Sequence, residues 1–526
     1  MESFLCYPLI IMKTPSGRLL LPALRPGFAL LLAVVFAGGA ARAATFTVSN
    51  LNDSGPGSLR QAVLGANAAA GADDVVFAPG VAGTITLTFA SGEILITDSL
   101  FIHGPGAGTL TVSGNQQSRI FHVESPAAMP IDVTLSGLTL TQGFSRLSFP
   151  VGGAVYAADE NLTILSSVIS DSVAGAPQDP PTLGCGGNVG VLGISGTTLQ
   201  IADSTLTGGS AIGIAMGDGG NLCVSGGKLV LERSTLSGGQ AYTGGGLYLE
   251  NLTEDSTISS STISGNQGFT SGGGIYSASL GAVLTIDSST ISGNTTGFPS
   301  PSPATAFGGG VYLSNGDLRI VNSTISGNHA IGWGGGIAAG GSLLLRLTTV
   351  TGNTASRDGG SILGYPSPVE LDHAIVANGT PEDLAEAPFL GSGAPFTVTA
   401  NYSLVEALNP LGGVVLMGTH NLVGVDPLLG PLANNGGPTQ THLPLPGSPV
   451  IDAGNPAIPS PPPADQRGFQ RIIGPAVDLG AVEVGGAAIA EAPTLSSLGL
   501  AVLSALLLGV GVWRLRRSRR MSPLRG

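Results

Sequence analysis

The residues that could do chemistry are few and scattered along the chain. Six histidines (His103, His122, His329, His373, His420 and His442) have no spacing that would gather them around a metal ion. Elimination from an acidic sugar needs calcium-binding acids beside a base, and glycosidic hydrolysis needs clustered carboxylates. No Asn-Thr-Asp, Asp-Asp or Gly-His-Gly group lies on a repeat strand, since Asp73-Asp74 precedes the repeats. Asp372-His373 pairs an acid with an imidazole, but it reads as the Ser-Thr slot of a repeat. Gly217-Asp-Gly-Gly-Asn221 has the composition of a calcium turn without the repeated nonapeptides of a calcium-binding β-roll. The best-placed bases, Arg233, Arg319 and Arg346, sit in strand-like runs just before the repeated phrase and read as solvent-facing spacers. Asp452, Asp465, Arg467 and Asp478 read as buried or turn-stabilising groups. The expectation is therefore of no catalytic residue, no metal and no cofactor.

The elements that would position any such residue are dictated by repetition. Ser-Thr-Leu-Thr-Gly-Gly at Ser204 and Ser-Thr-Leu-Ser-Gly-Gly at Ser234 are followed by Ser-Thr-Ile-Ser-Gly-Asn at Ser261, Ser289 and Ser323. Thr-Thr-Val-Thr-Gly-Asn at Thr348 and His-Ala-Ile-Val-Ala-Asn at His373 are worn copies, so the period is 25–34 residues. Gly-Gly-Gly-aliphatic-Tyr alternates with it at Gly244, Gly272 and Gly308, with Gly334 as a variant. Two phrases alternating at such a period specify a stack of coils rather than one globular core. Leu284 and Ile286 alternate with polar neighbours and face inward, as Ile291 does after a bend. Gly-Asn makes a tight turn, and Asn266, Asn294, Asn328, Asn353 and Asn378 are expected to align as an amide ladder. Variable coils of this length fit a right-handed parallel β-helix better than the left-handed form, whose coils are short hexapeptide repeats.

Composition agrees. Gly is 83 of 526 residues and charged residues are 10%. The formal charge is −13, with 20 Lys and Arg against 33 Asp and Glu. Half of the basic residues lie before the expected mature start or after Trp513, which leaves a strongly acidic body that would repel nucleic acid. Cys6 falls in the leader. Cys185 precedes its Gly-Gly pair at Gly186 whereas Cys223 follows its own at Gly219, so stacking in register should leave two free thiols too far apart to join. A disulfide is the alternative.

Residues 1–43 read as a signal peptide. Lys13, Arg18 and Arg25 precede an apolar run, and Ala41-Arg42-Ala43 offers a cleavage site before Ala44; Met12 is an alternative start. Residues 44–134 read as an N-terminal cap and first coils, with one short helix at 58–67 covering the first rung. The repeated coils span 135–404, a C-terminal module 405–483, a linker 484–491 and a tail 492–526. In the tail, Leu495 to Trp513 is apolar and long enough to cross a bilayer. Arg514, Arg516, Arg517, Arg519 and Arg520 behind it would hold the C-terminus in the cytoplasm.

Several stretches carry a resemblance. The alternating Gly-Gly and Ser-Thr-Ile-Ser-Gly-Asn phrases resemble right-handed β-helix proteins of the pectin-lyase-like superfamily, closest to bacterial surface proteins with polymorphic-outer-membrane-protein-like repeats. Residues 54–67 resemble a CSLREA-type opening segment, with Gly57 and Gln61 in place of its Cys and Glu. Asn421 to Thr439, Pro446 to Asn455, Asp465-Gln-Arg-Gly-Phe469 and Val477 to Glu483 resemble a choice-of-anchor Q module. Pro493-Thr494-Leu495-Ser496 resembles the sorting motif of IPTL-CTERM tails, with Ala492 for the usual Ile. That resemblance implies an exosortase-type membrane protease as partner, an inner-membrane intermediate, and release to the Gram-negative cell surface or matrix; a permanent anchor is the alternative. Together these imply an all-β, exported, non-enzymatic rod for display, adhesion or binding of surface glycans. The alternative is a carbohydrate-active β-helix enzyme with an unfamiliar site.

Overall fold

The computed structural model describes residues 43–488 apart from 128, 147–149, 176–183, 212–216, 298–305, 366, 388–395 and 409–412. The expected signal peptide up to Arg42, the Pro-containing stretches at 176–183 and 298–305, and the expected sorting tail therefore lie outside the described residues. No described helix is long and apolar enough to cross a membrane.

Short strands wind into three parallel sheets, one of which carries one strand per coil and has 13 strands. At ~4.8 Å per coil the stack is ~60 Å long. Pairing is residue-on-residue: Ile263 lies beside Ile291, Ile291 beside Ile325, and Ile325 beside Val350. Alternation sends every second side chain inward, and Leu284, Ile286 and Ile291 are 2%, 0% and 1% exposed. One apolar core runs unbroken from Val48 to Val405.

The helix expected at the start spans Leu59–Ala68, with the Ser58 hydroxyl accepting from Gln61 N at 3.2 Å. It buries Leu59, Ala62, Val63 and Ala66 against the strands Thr45–Val48, Asp73–Phe77 and Ile94–Ile96. The open first rung is thereby covered.

Corners are the costly part of each coil, because backbone groups leave the ladder while still buried. Two side-chain ladders satisfy them. At one corner, the backbone N–H groups of Ser167, Ser204, Ser234, Ser261 and Ser289 each donate to the serine hydroxyl one coil further on, at 3.0–3.1 Å. At the next, the side-chain amides of Asn188, Asn221, Asn266, Asn294, Asn328 and Asn353 are joined in an unbroken chain of hydrogen bonds at 2.9–3.1 Å. The Oδ1 of Asn294 also accepts from Asn266 N, and its Nδ2 donates to Ile263 O. Glycine opposite is a steric requirement, since a Cβ on Gly274 would lie 2.9 Å from Asn294 Nδ2 and 2.7 Å from Gly310 O.

The C-terminal module leaves the coil stack. The coils continue to Leu422–Val423, and the chain then turns back and runs along the outer face of the 13-stranded sheet. An antiparallel pair, Leu429–Ala433 with Thr441–Pro444, begins this strap. Gln440 O accepts from Thr290 Oγ1, Gln466 Oε1 from Thr324 Oγ1, and Thr349 Oγ1 from Ala481 N. Val450 and Leu479 pack on Ile375 and Leu404. Hence Thr290, Thr324 and Thr349 are buried, while Thr205, Thr235 and Thr262 in the same row are half-exposed. At the last rung, Val414 and Leu416 face inward by register yet are half-exposed, where Phe396 and Val398 one coil earlier are buried.

Two substitutions check this frame. Ile291→Asp puts an unpaired charge in the core and should lower stability by several kcal/mol. Asn294→Ala strands Asn266 N and Ile263 O and should cost about 1–3 kcal/mol per orphaned group. Urea unfolding followed by far-UV circular dichroism measures both, and unchanged midpoints would contradict the assignment.

Candidate functional site

The Gly-Gly corner places two rows of residues outside the apolar core, stacked coil upon coil between His122 and Leu363, some half-buried and some buried. The residue before the first Gly contributes one row: Val151, Cys185, Asp218, Thr243, Ser271, Phe307 and Trp333 are register partners in succession. The fifth residue after it contributes the other: His122, Tyr156, Gly190, Cys223, Tyr248, Tyr276, Tyr312, Ala338 and Leu363. Each coil turns sharply between the two, with positive φ at the first glycine (+67° at Gly219, +64° at Gly244), so the rows flank one corner.

The middle of this corner carries the most chemistry. Tyr248 and Tyr276 stack nearly parallel at 4.9 Å, and Tyr276 and Tyr312 follow at 5.5 Å. Glu250 lies beside Tyr248, and Ser314 beside both Tyr276 and Tyr312, and burial pushes all three phenols above their ordinary value. Across the corner, burial and then the charge of Glu250 push the Asp218 carboxyl up to about 7, against a hydrogen bond from Thr243. A carboxylic acid that holds its proton near neutrality thus lies beside an ionisable one and a row of phenols. This set can donate to and accept from sugar hydroxyls, and the net charge of −13 on the chain would repel a uronate. Toward later coils the corner becomes apolar. Phe307 stacks on Trp333 at 5.2 Å, and the Arg357 guanidinium covers the Trp333 ring at 4.5 Å.

Of the residues singled out from sequence, His122, Cys185, Cys223 and Asp218 (in 217–221) lie in these rows, and the others fall elsewhere. Asn266, Asn294, Asn328 and Asn353 form the ladder, but Asn378 does not. Val350 pairs with Val376, so Asn378 stands one place early, in the slot of Gly352, with φ 54°. The ladder position falls to Gly379, where Asp383 Oδ1 takes over by accepting from Gly379 N and Ser361 Oγ. Burial pushes Asp383 up to about 6. The same slip moves His373 out of the Ser-Thr slot to the positive-φ residue before it (φ 57°). His373 is 2% exposed, bonded to Asp372 at 2.6 Å and to Asn455 N at 3.0 Å beneath the strap.

Arg319 faces out and is exposed. Arg233 pairs with Asp203 through two hydrogen bonds. Arg346 is no solvent-facing spacer: its Nε lies 3.1 Å from Asp372 Oδ2, and its Nη2 donates to Pro459 O in the strap. Gly217 to Asn221 is a corner rather than a calcium turn, because Asn221 belongs to the ladder. Among the described residues no group of His, Cys, Asp and Glu could hold a metal ion. Asp465 accepts from Arg467 N, Nε and Nη2 and from Glu483 N. Asp478 accepts from Asp452 N and Val484 N, so these acids brace the strap. Ala43 and Ala44 are described, and Ala41 is not; Pro493 to Ser496 and the tail arginines also lie outside the described residues.

Cys185 and Cys223 are joined in a disulfide with Cα atoms 5.5 Å apart, which overturns the expectation of free thiols. The offset along the chain is real, since Cys223 pairs with Gly190 and Cys185 with Asp218. The corner at Gly186 and Gly187 folds Cys185 back over Gly190, where a Cβ would lie 2.7 Å from Cys185 O. The bond therefore crosses from one row to the other between adjacent coils.

The family described as "Right handed beta helix region" matches residues 145–364. The described coils form a right-handed parallel β-helix. Among solved structures, the crystal structure of pectate lyase Pel9A is similar over 85% of this chain and 97% of its own, at 14% identity and a TM-score of 0.38. The A-module of the Azotobacter vinelandii mannuronan C-5 epimerase AlgE4 is similar over 72% of this chain and 98% of its own, at 12% identity and a TM-score of 0.34. No curated protein matches.

The β-helix corner makes a pH-dependent prediction. Because the folded-state pKa of Asp218 lies above its ordinary value, its protonated form is favoured by folding, and that stability is lost as pH rises from about 4 to about 7. Asp218→Asn should therefore gain on the wild type across this window, by up to ~1.4 kcal/mol per pH unit, and run parallel above it. Denaturant midpoints of both proteins from pH 4 to 9 measure the difference.

Proposed function

We propose that this β-helix is an exported surface or matrix rod that binds a glycan lengthwise along the tyrosine corner without cleaving it. The observation that carries the reading is the Tyr248–Tyr276–Tyr312 row, repeated at the coil period beside Asp218, Glu250 and Ser314. A polymer of similar hexose units can meet such a row in several registers, each residue offering hydroxyl hydrogen bonds and ring edges. The Cys185–Cys223 disulfide supports export, because such bonds persist in oxidising compartments. The acidic body, apolar tail and arginines behind it support surface delivery through an exosortase-type protease, with the inner membrane as an intermediate station.

A second reading is favoured by one observation, the raised Asp218 carboxyl beside Glu250. Two carboxyl groups on neighbouring coils, one of them held protonated near neutrality by burial, are the kind of pair a glycoside-cleaving enzyme uses.

A glycan array probed with the exported protein separates these. Binding to neutral polysaccharides is expected, weakened at least about tenfold by Tyr276→Ala with Tyr312→Ala, which removes about 1.4 kcal/mol or more. Pectin, polygalacturonate and alginate should be neither bound nor cleaved, with or without calcium. Reducing sugar released above a heat-killed control, and lost in Asp218→Asn, would establish the enzyme instead. Mass spectrometry of the exported C-terminus tests delivery: a terminus near Pro493 is expected, and an intact Arg520-containing peptide would leave only a permanent anchor.

A further inference from the structure

The residue before the first strand is held in a way the β-helix does not require. Ala44 O accepts from Asp74 N at 2.8 Å, which is ordinary ladder pairing beside Thr45–Val48. Ala44 N, however, donates to the side chain of Asp73, at 2.7 Å from Oδ1. Asp73 is 2% exposed, and its Oδ2 is buried with no hydrogen-bond partner. A buried carboxylate with one amide donor and one orphaned oxygen is an expensive arrangement. A backbone amide supplies a single N–H and no charge. An α-ammonium in the same place supplies three donors and a positive charge, which is what the orphaned oxygen lacks. Ala43, one residue earlier, is exposed, and Ala41 and Ala43 present the small side chains that a signal-peptide-cleaving protease reads.

We propose that Asp73 is the receptor for the new N-terminus created when the Ala43–Ala44 bond is hydrolysed. In that step the C–N bond breaks, the hydroxyl of water goes to the Ala43 carboxyl, and its hydrogen goes to the Ala44 nitrogen. That nitrogen takes up one further proton at neutral pH, and the ammonium bridges both oxygens of Asp73. The first rung, which also carries the capping helix, is then closed by a charge pair that the precursor lacks. Other titratable groups nearby do not compete for this role: Asp74 pairs with His103 at 2.6 Å, and Asp98 accepts from Ser99 N at 2.8 Å. The proposal rests on the export reading for its occurrence in cells.

The test uses the full-length chain in detergent, cut by a purified signal peptidase. Cleavage between Ala43 and Ala44 is expected, and cutting elsewhere or not at all would overturn the proposal. The cut protein has only two amines, the α-amino group of Ala44 and Lys228, which serves as an internal reference. An ordinary α-amino group, with a pKa of about 8, is acylated at pH 7 far faster than lysine. Here the Ala44 amine should react at least about tenfold more slowly, as a pKa raised by a unit or more requires. Asp73→Asn should restore the ordinary rate. Should that variant not fold, urea-unfolded wild type serves as the comparison. Equal rates for folded wild type and either reference would overturn the proposal. Sequencing the N-terminus of the protein made in cells judges export separately, since an uncut chain there would contradict export while leaving the labelling result to judge Asp73.

Discussion

Every coil of this protein buries backbone donors and acceptors at corners where no strand can receive them, and the stack exists because side chains receive them instead. The asparagine ladder satisfies this constraint most fully. Each internal amide accepts from a backbone N–H, donates to a carbonyl and donates to the next amide. None of its polar atoms is left over, which is the condition under which a buried polar network stabilises rather than costs. The serine ladder does the same at the preceding corner with a single hydroxyl per coil. Between such corners the strands need only short apolar alternation, so inserts of different lengths can leave the coil without disturbing its neighbours.

Much of this was legible because the constraint writes itself into repeated residues. Ile291 and its register partners, the Gly-Asn turn and the helix against the first rung all follow from local pattern. What escaped shows where pattern ends. Two ladder members, Asn188 and Asn221, come from the Gly-Gly phrase and not from the Gly-Asn turn. Their presence coincides with turns that read Gly208-Gly209 and Gly238-Gly239, where the asparagine is missing. The amide has changed sides of the corner while keeping its place in space. A trade between two phrases a dozen residues apart could have been noticed. Asn378 was misplaced because a worn repeat slipped by one residue, and a one-residue slip exchanges the turn and ladder positions. The disulfide was misjudged by treating the chain near Gly186 as straight. The strap over the 13-stranded sheet had one signal in sequence: the outward threonine of earlier coils becomes Ile375 and Leu404, side chains that ask for cover.

The site and the scaffold are made of the same material, which is why the site was hard to read. The corner that needs glycine for close approach also turns the residues on either side of it away from the core, where they are half-buried or buried against one another. Where these are tyrosines they stack along the rod, and where they are cysteines they lock two coils together. A feature that repeats is read first as structure, and only Asp218 and Glu250 break the repeat enough to mark a place. The acids and arginines that look suggestive in isolation, Asp372, His373 and Arg346, are used to fasten the strap.

Hydrogen–deuterium exchange at single-residue resolution tests the ladder account most directly. The backbone amides of Asn266, Asn294 and Asn328, which donate to the next asparagine's Oδ1 at 2.9–3.0 Å, sit in turns yet should exchange as slowly as the strand amides of Ile263, Ile291 and Ile325. Exchange of those asparagine amides at the rate of an ordinary surface turn, with the flanking strands still protected, would contradict it.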